Sequence, residues 1–292
     1  MSERRPRTFY VLFGVFLLFM LFLYGPMISI LVLSFQGPEG GLVFPIDSVS
    51  THWFEKLWAG TGQVAIGPAL RRSFVLAFVV MVLTVSISVL AGLAFRHRFR
   101  GSTVLLYVAI SSLIVPSIVV SLGIALEFRL IDDAIKDIGT AWGIGWIQRD
   151  FVSALGPFTS GLGAHLTWTL PFGLLIMFAV FNRFDPAFEE AARDLGATPW
   201  QTFRHVTLPM IAPFLIGVAV FGFTLSWDEL ARSSQVMGSD NTLPMQLAAK
   251  TTTVTDPEIY ALGSATTAGS VLLIIVMFTL VSLMQRRRRR LL

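Results

Sequence analysis

Six apolar stretches, each long enough to span a lipid bilayer, leave this chain few ways to fold. They run over residues 9–35, 70–95, 103–126, 162–182, 209–230 and 262–284. A helix needs about 20 apolar residues to cross the hydrocarbon core. Backbone polar groups can be satisfied there only in helices or closed barrels. The pattern therefore predicts an all-α, polytopic membrane protein with six transmembrane helices. Only 14% of the residues are charged, against about 25% in ordinary soluble domains. The first run is too long for a signal-peptide core and has no small-residue cleavage site, so it reads as a retained span. There is no repeat at a fixed period and no inverted pair of interrupted helices of the kind that marks secondary transporters. Residues 1–292 read as a single membrane domain.

The charges lie at the ends of the apolar runs, as orientation signals do. On the side of the two termini are Arg4, Arg5, Arg7, Arg96, Arg98, Arg100, Arg183, Arg193, Arg204 and the run Arg286 to Arg290. The other side has Lys56, Arg71, Arg72, Arg129, Lys136, Arg149, Arg232 and Lys250. The short stretch from Arg96 to Gly101 alone holds three arginines, and short loops weigh most in setting orientation. Both termini and residues 185–209 are thus expected in the cytoplasm. The net charge of +4 does not point to nucleic acid, because the terminal arginines follow a span directly and read as a topology anchor within reach of anionic lipid.

Several chemistries are missing. A phosphate loop needs a lysine directly after glycine, but Lys56, Lys136 and Lys250 follow Glu55, Ile135 and Ala249. His52, His97, His165 and His205 are isolated from one another and form no pair at metal-binding spacing. With no cysteine there is no thiolate metal site and no disulfide. No serine stands in a nucleophile elbow. An intramembrane enzyme has no supporting constellation. Work against a gradient would have to draw its energy from a partner, since the chain carries no ATPase site or cofactor site of its own.

The polar interruption at 185–209 is built like two capped helices. Asp185 can cap the first, Pro186 suits its first turn, and Gly196 suits its stop. Thr198 can cap the second, with Pro199 at the first position and Gln201 completing a capping box. Pro209 and Pro213 mark the start of the next apolar run. An amphipathic helix lying on the membrane is the plain alternative, but it has no need of this spacing.

Glu190-Ala191-Ala192, then Gly196, then Val206-Thr207-Leu208-Pro209 resembles the cytoplasmic EAA motif of bacterial ABC importer permeases, with Val206 in place of the usual isoleucine. Tyr24-Gly25-Pro26, Ser34-Phe35, the stretch Phe223 to Glu229 and Asp256-Pro257-Glu258 are similar to the spermidine/putrescine group of these permeases, the PotC-like half in particular. Trp227 and Glu229 depart from that group's pattern. The resemblance implies the type I importer architecture, with the EAA segment as a coupling helix seated in a cleft of an ATPase. It also implies two cytoplasmic ABC ATPase subunits that hold the ATP and Mg²⁺, a second, PotB-like permease subunit and an extracytoplasmic solute-binding protein. Glu190, Ala191, Ala192, Arg193, Gly196, Trp200, Leu208 and Pro209 would carry the coupling. Trp200 and Phe203 would supply apolar knobs, and Glu190 and Arg193 rim charges. Related permeases handle phosphonates, opines and ferric iron. A channel or ion-driven transporter is the alternative from another class.

Ionisable residues near spans are functional candidates by default. Glu127 ends the third run and Asp228 and Glu229 end the fifth, with Trp227 beside them to offer a cation–π face. These four are the expected substrate-pathway residues. The outer segments hold more acidic than basic residues, which favours a cationic solute such as a polyamine. His165 is expected as a helix-contact residue, Asn182 and Arg183 as markers of the cytoplasmic exit, and Pro116 and Pro171 as bend points.

Overall fold

The computed structural model describes residues 6–39, 45–46, 48–59, 66–96, 99–253 and 257–289. Arg4, Arg5, His97, Arg98, Asp256 and Arg290 lie outside them. In chain order the helices are α1 (Arg7–Leu33), α2 (His52–Ala59), α3 (Ile66–Phe95), α4 (Ser102–Ser111), α5 (Ser117–Ala141), α6 (Gly145–Arg149), α7 (Ser160–Asn182), α8 (Ala187–Asp194), α9 (Pro199–Thr202), a π-helical turn at Phe203–Thr207, α10 (Leu208–Trp227), α11 (Ser233–Val236), α12 (Leu243–Thr253) and α13 (Pro257–Arg289). Among the described residues the only β-pairing is a single bridge between Gln36 and Val49. Among the described residues, five helical stretches are long and apolar enough to cross a membrane: Arg7–Leu33, Ile66–Phe95, Ser160–Asn182, Pro199–Trp227 and Pro257–Val276.

The chain divides into two compact units. The first comprises residues 1–66 and 247–271. Its α1 is apolar on every side, with none of its most apolar window buried, as suits a helix surrounded by lipid. Glu258, in the first turn of α13, is buried and pairs with Lys250 at 3.1 Å and Lys56 at 3.5 Å. Lys56 also sits 5.2 Å from the ring centre of Trp53. Two lysines around one carboxylate explain why a charged residue is tolerated there.

The second unit comprises residues 67–246 and 272–292 and is built on α3, α7 and α10. Small residues let these helices approach closely, as is usual in bilayers. A Cβ on Gly92 would lie 2.7 Å from the Phe181 ring, and one on Gly222 would lie 3.3 Å from Met81 and Thr84. Thr84 and Thr169 share a buried hydrogen bond of 2.7 Å across the α3–α7 contact. Val89, Met177, Phe181, Ile211 and Val218 form one core cluster, and Leu76, Val80, Ala125, Ala164, Val236 and Met237 another.

Two expectations need correction. The run 103–126 is not one continuous helix. It breaks after α4, and α5 continues through Glu127 to Ala141. Pro116 has no N–H to extend the first helix and pushes Val115 out of the helical region. Ser112 reinforces the break by donating to the Thr167 carbonyl at 2.7 Å. Far along α5, the buried carboxylate of Asp132 accepts the Ser153 hydroxyl and the Ala154 N–H, both at 2.6 Å, which secures the following loop. The second correction concerns the helix after Gly196, which is not a separate short element. It runs through the π turn into α10, so the segment ends as the stem of a span. Pro209 cannot donate the ordinary helical hydrogen bond, and the wider π turn absorbs this, with the Leu208 N–H reaching back to the Phe203 carbonyl.

Candidate functional site

The segment 185–209 takes its shape from local chemistry. Asp185 accepts the Ala187 N–H at 3.0 Å, just ahead of α8. Gly196 adopts φ of +86°, and two reverse bonds close the helix end: Gly196 N–H to the Arg193 carbonyl at 2.9 Å and Ala197 N–H to the Ala192 carbonyl at 3.1 Å. Thr198 and Gln201 then form the complete capping box, with bonds of 2.8 and 3.3 Å. The result is a rigid corner with few free backbone groups.

One residue that the motif does not contain holds this corner in place. Glu189, 15% exposed at its side chain, receives the Arg96 guanidinium at 2.9 Å and the Thr207 hydroxyl at 2.6 Å on the same oxygen. Burial would raise its carboxyl, but those two hydrogen bonds together with the charges of Arg96 and Arg193 outweigh burial and hold it below the ordinary carboxylate value. Arg96 lies 5.0 Å from the Phe184 ring and 5.3 Å from the Phe181 ring. The end of α3, the short helix α8 and the π turn are thus latched together. Sequence reasoning missed Glu189 and Arg96 because they are 93 residues apart, and the only local sign was an acidic residue one place before the motif.

The motif residues themselves divide. Glu190, Ala191 and Arg193 are exposed, Ala192, Leu208 and Pro209 are half-buried, and the Arg193 Nε donates to the Glu189 carbonyl at 3.2 Å. Trp200 is 65% exposed and Leu195 is 90% exposed, with Phe188 exposed as well. Phe203 is not a surface knob, because it stacks under Trp200 at 5.7 Å and packs on the core that contains Ile211. Leu195 takes its place as the exposed apolar residue.

The expected pathway residues differ in exposure and partners. Asp228 is exposed, while Trp227 is half-buried and stacks on Phe223 at 5.8 Å. Glu229 accepts the Arg232 backbone N–H at 2.8 Å and pairs with its guanidinium at 3.4 Å. Glu127 is exposed on α5 and enters none of these contacts. His165 is buried between helices, 2.8 Å from the Ser226 hydroxyl and 3.0 Å from that of Ser233. Arg232, a residue that the sequence presented only as one outer charge, is fully buried. Its signal was the i, i+3 spacing from Glu229.

The model of the family described as binding-protein-dependent transport system inner membrane component matches residues 84–290. The putrescine transport system permease protein PotI of Escherichia coli K12 is 32% identical over 253 residues, covering 86% of this chain and 83% of that protein. The spermidine/putrescine transport system permease protein PotC of Haemophilus influenzae is 28% identical over 245 residues, covering 83% and 85%. Among solved structures, a bacterial ABC transporter involved in the import of the acidic polysaccharide alginate superposes with a TM-score of 0.67 at 17% identity, covering 97% of this chain and 95% of that one. That likeness concerns the fold alone. With its matched segment, its relatives and its apolar helices taken together, this chain is a multi-pass membrane protein that belongs to the binding-protein-dependent transport system inner membrane component family.

Proposed function

We propose that this chain is the permease subunit of an ATP-driven importer for a polyamine such as putrescine or spermidine. Two ABC ATPases holding ATP and Mg²⁺ drive it, a second, PotB-like permease completes the pathway, and an extracytoplasmic binding protein delivers the cargo. The whole chain acts as one permease domain of the bacterial inner membrane, with both termini and residues 185–209 in the cytoplasm.

The observation that carries this reading is the latched corner at 185–209. A part that transmits rotation must be stiff along its length and sticky at its tip. The Gly196 turn and the Thr198–Gln201 box supply stiffness, and Glu189 ties the corner to α3 and to the stem of α10. Leu195, Trp200 and Phe188 offer apolar anchors, with Glu190 and Arg193 around them to set register. Ala191 and Ala192 keep α8 slim, and Leu208 and Pro209 begin the stem that carries the motion inward. Closure of the ATPases pulls this corner and turns the spans between two access states.

The cargo rests on different support. The named relatives PotI and PotC are permeases of putrescine and spermidine/putrescine systems. The alginate transporter of the same fold moves an acidic polysaccharide, so the fold does not select a cation. Asp228, Glu229, Glu127 and Trp227 remain the proposed pathway residues. The test is uptake of labelled putrescine into proteoliposomes that contain both permeases and the ATPase, with binding protein added. ATP-dependent uptake is expected. Putrescine entry through this chain alone, without ATPase, would instead identify a self-sufficient channel, and binding of phosphonate but not putrescine by the cognate binding protein would remove the polyamine.

A further inference from the structure

Arg232 is fully buried, yet among the described residues its guanidinium hydrogen-bonds through one nitrogen only. Nη1 donates to the Ser117 hydroxyl at 2.9 Å and to Glu229 Oε2 at 3.4 Å. Nε and Nη2 have no hydrogen-bond partner among the described residues. The face of Trp168 lies 4.6 Å from the guanidinium carbon. A carboxylate, a hydroxyl and an indole face therefore converge on one cation.

The converging groups fit a different cation better than the one present. A guanidinium holds five donors in a rigid plane, whereas an ammonium has three that rotate to meet their acceptors. Glu229 Oε1 already takes the Arg232 backbone N–H, so Glu229 Oε2 and the Ser117 hydroxyl can take two of an ammonium's three donors, fewer being left unmet than with the guanidinium, and the indole face attracts its charge. Arg232 leaves donors unmade in a buried place, which is costly. We propose that Ser117, Trp168 and Glu229 form a seat for the primary ammonium group of a small amine, which Arg232 fills in this conformation as a tethered plug. The seat rests on the polyamine reading above and names the groups that would recognise such a cargo inside the permease. Being tethered, Arg232 competes at a high effective concentration. A free amine gains the seat only when the turn between Glu229 and α11 moves Arg232 aside. Asp228, exposed one residue before Glu229, would be the first carboxylate that an incoming amine meets.

The test uses the full-length chain in lipid nanodiscs with n-butylammonium and guanidinium as probes, read by thermal unfolding. In Arg232→Ala the vacated seat is expected to bind n-butylammonium at least as well as guanidinium, raising the midpoint by about 2 °C or more. The wild type and the double variant Arg232→Ala/Glu229→Gln should not respond. Arg232→Met, which keeps the aliphatic stem but lacks the guanidinium head that fills the seat, is the second variant and should respond like alanine. Stabilisation by guanidinium alone would overturn the seat and leave a structural arginine. So would folded variants that respond to neither probe, or variants that fail to fold even when purified in n-butylammonium; folding only in its presence would support the seat. Putrescine uptake by the wild-type transporter is measured separately, so the cargo reading and the seat fail independently.

Discussion

Replacing Gly196 isolates the mechanical role of the corner, because the space around it is open. Among the described residues, no atom beyond the two chain neighbours lies within 4 Å of where a Cβ would stand, so any effect within this chain comes from the backbone. At φ of +86° an L-residue costs about 1–2 kcal/mol, and a β-branched one more. The chain can relieve that strain by unwinding the end of α8, but it then loses the bonds from Gly196 to Arg193 and from Ala197 to Ala192. At about 0.5–1.5 kcal/mol each, those losses match the strain, so neither escape is free. Gly196→Val should thus depopulate the rigid corner about 5- to 30-fold. The assay is uptake per ATP hydrolysed in proteoliposomes, with insertion checked by size-exclusion chromatography. Gly196→Asn and Gly196→Ala separate strain from steric hindrance on the ATPase. Asparagine is larger but tolerates the left-handed region, so coupling should fall in the order Gly, Asn, Ala, Val. Wild-type coupling in the valine variant, or asparagine worse than alanine, would refute the backbone reasoning.

Breaking the latch should also uncouple. Arg96→Ala or Glu189→Gln removes a charge-assisted hydrogen bond worth about 1.5–3 kcal/mol at most, and ATP hydrolysis should persist while uptake falls. The Glu189 carboxyl is held low, so the latch is fully present above the ordinary carboxylate range and is lost only as pH falls through its depressed value. The protection of α8 amides, corrected for intrinsic exchange, should begin to fall as pH drops into the ordinary carboxylate range and be lost below the depressed value, and Glu189→Gln should abolish that pH dependence. Gly92→Ala would set a methyl 2.7 Å from the Phe181 ring, and overpacking of about 1–3 kcal/mol should lower the unfolding midpoint by several degrees. Leu195→Asp and Trp200→Ala should each weaken retention of the ATPase by about 1–4 kcal/mol in pull-down titrations, with the permease still folded. Unchanged retention in both would place the docking surface elsewhere.

The features legible in sequence are those set within a few residues. The long apolar runs announced helices, and Thr198, Gln201 and Gly196 announced their own caps, because those bonds join neighbours along the chain. In the third run Pro116 announced a bend, but hydropathy reports only length and apolarity and did not show that α4 stops at Ser111 or that α5 runs on to Ala141. The fate of the segment after Thr198 was equally hidden: two prolines marked the start of a new apolar run, and the π turn joined the short capped helix to it without a break.

By itself, then, the sequence determined that this is a membrane protein of many helices with a stiff polar corner, through solvent transfer and local hydrogen bonding. Tertiary structure decided which charges work and which are merely present. Glu189 rather than Glu190 is the anchored acid, because Arg96 arrives from 93 residues away. Glu229 is sealed by Arg232 while Asp228 stays exposed, because Ser117 and Trp168 on other helices supply the remaining walls. Burial and pairing between distant segments are properties of the packed chain, and no local pattern encodes them.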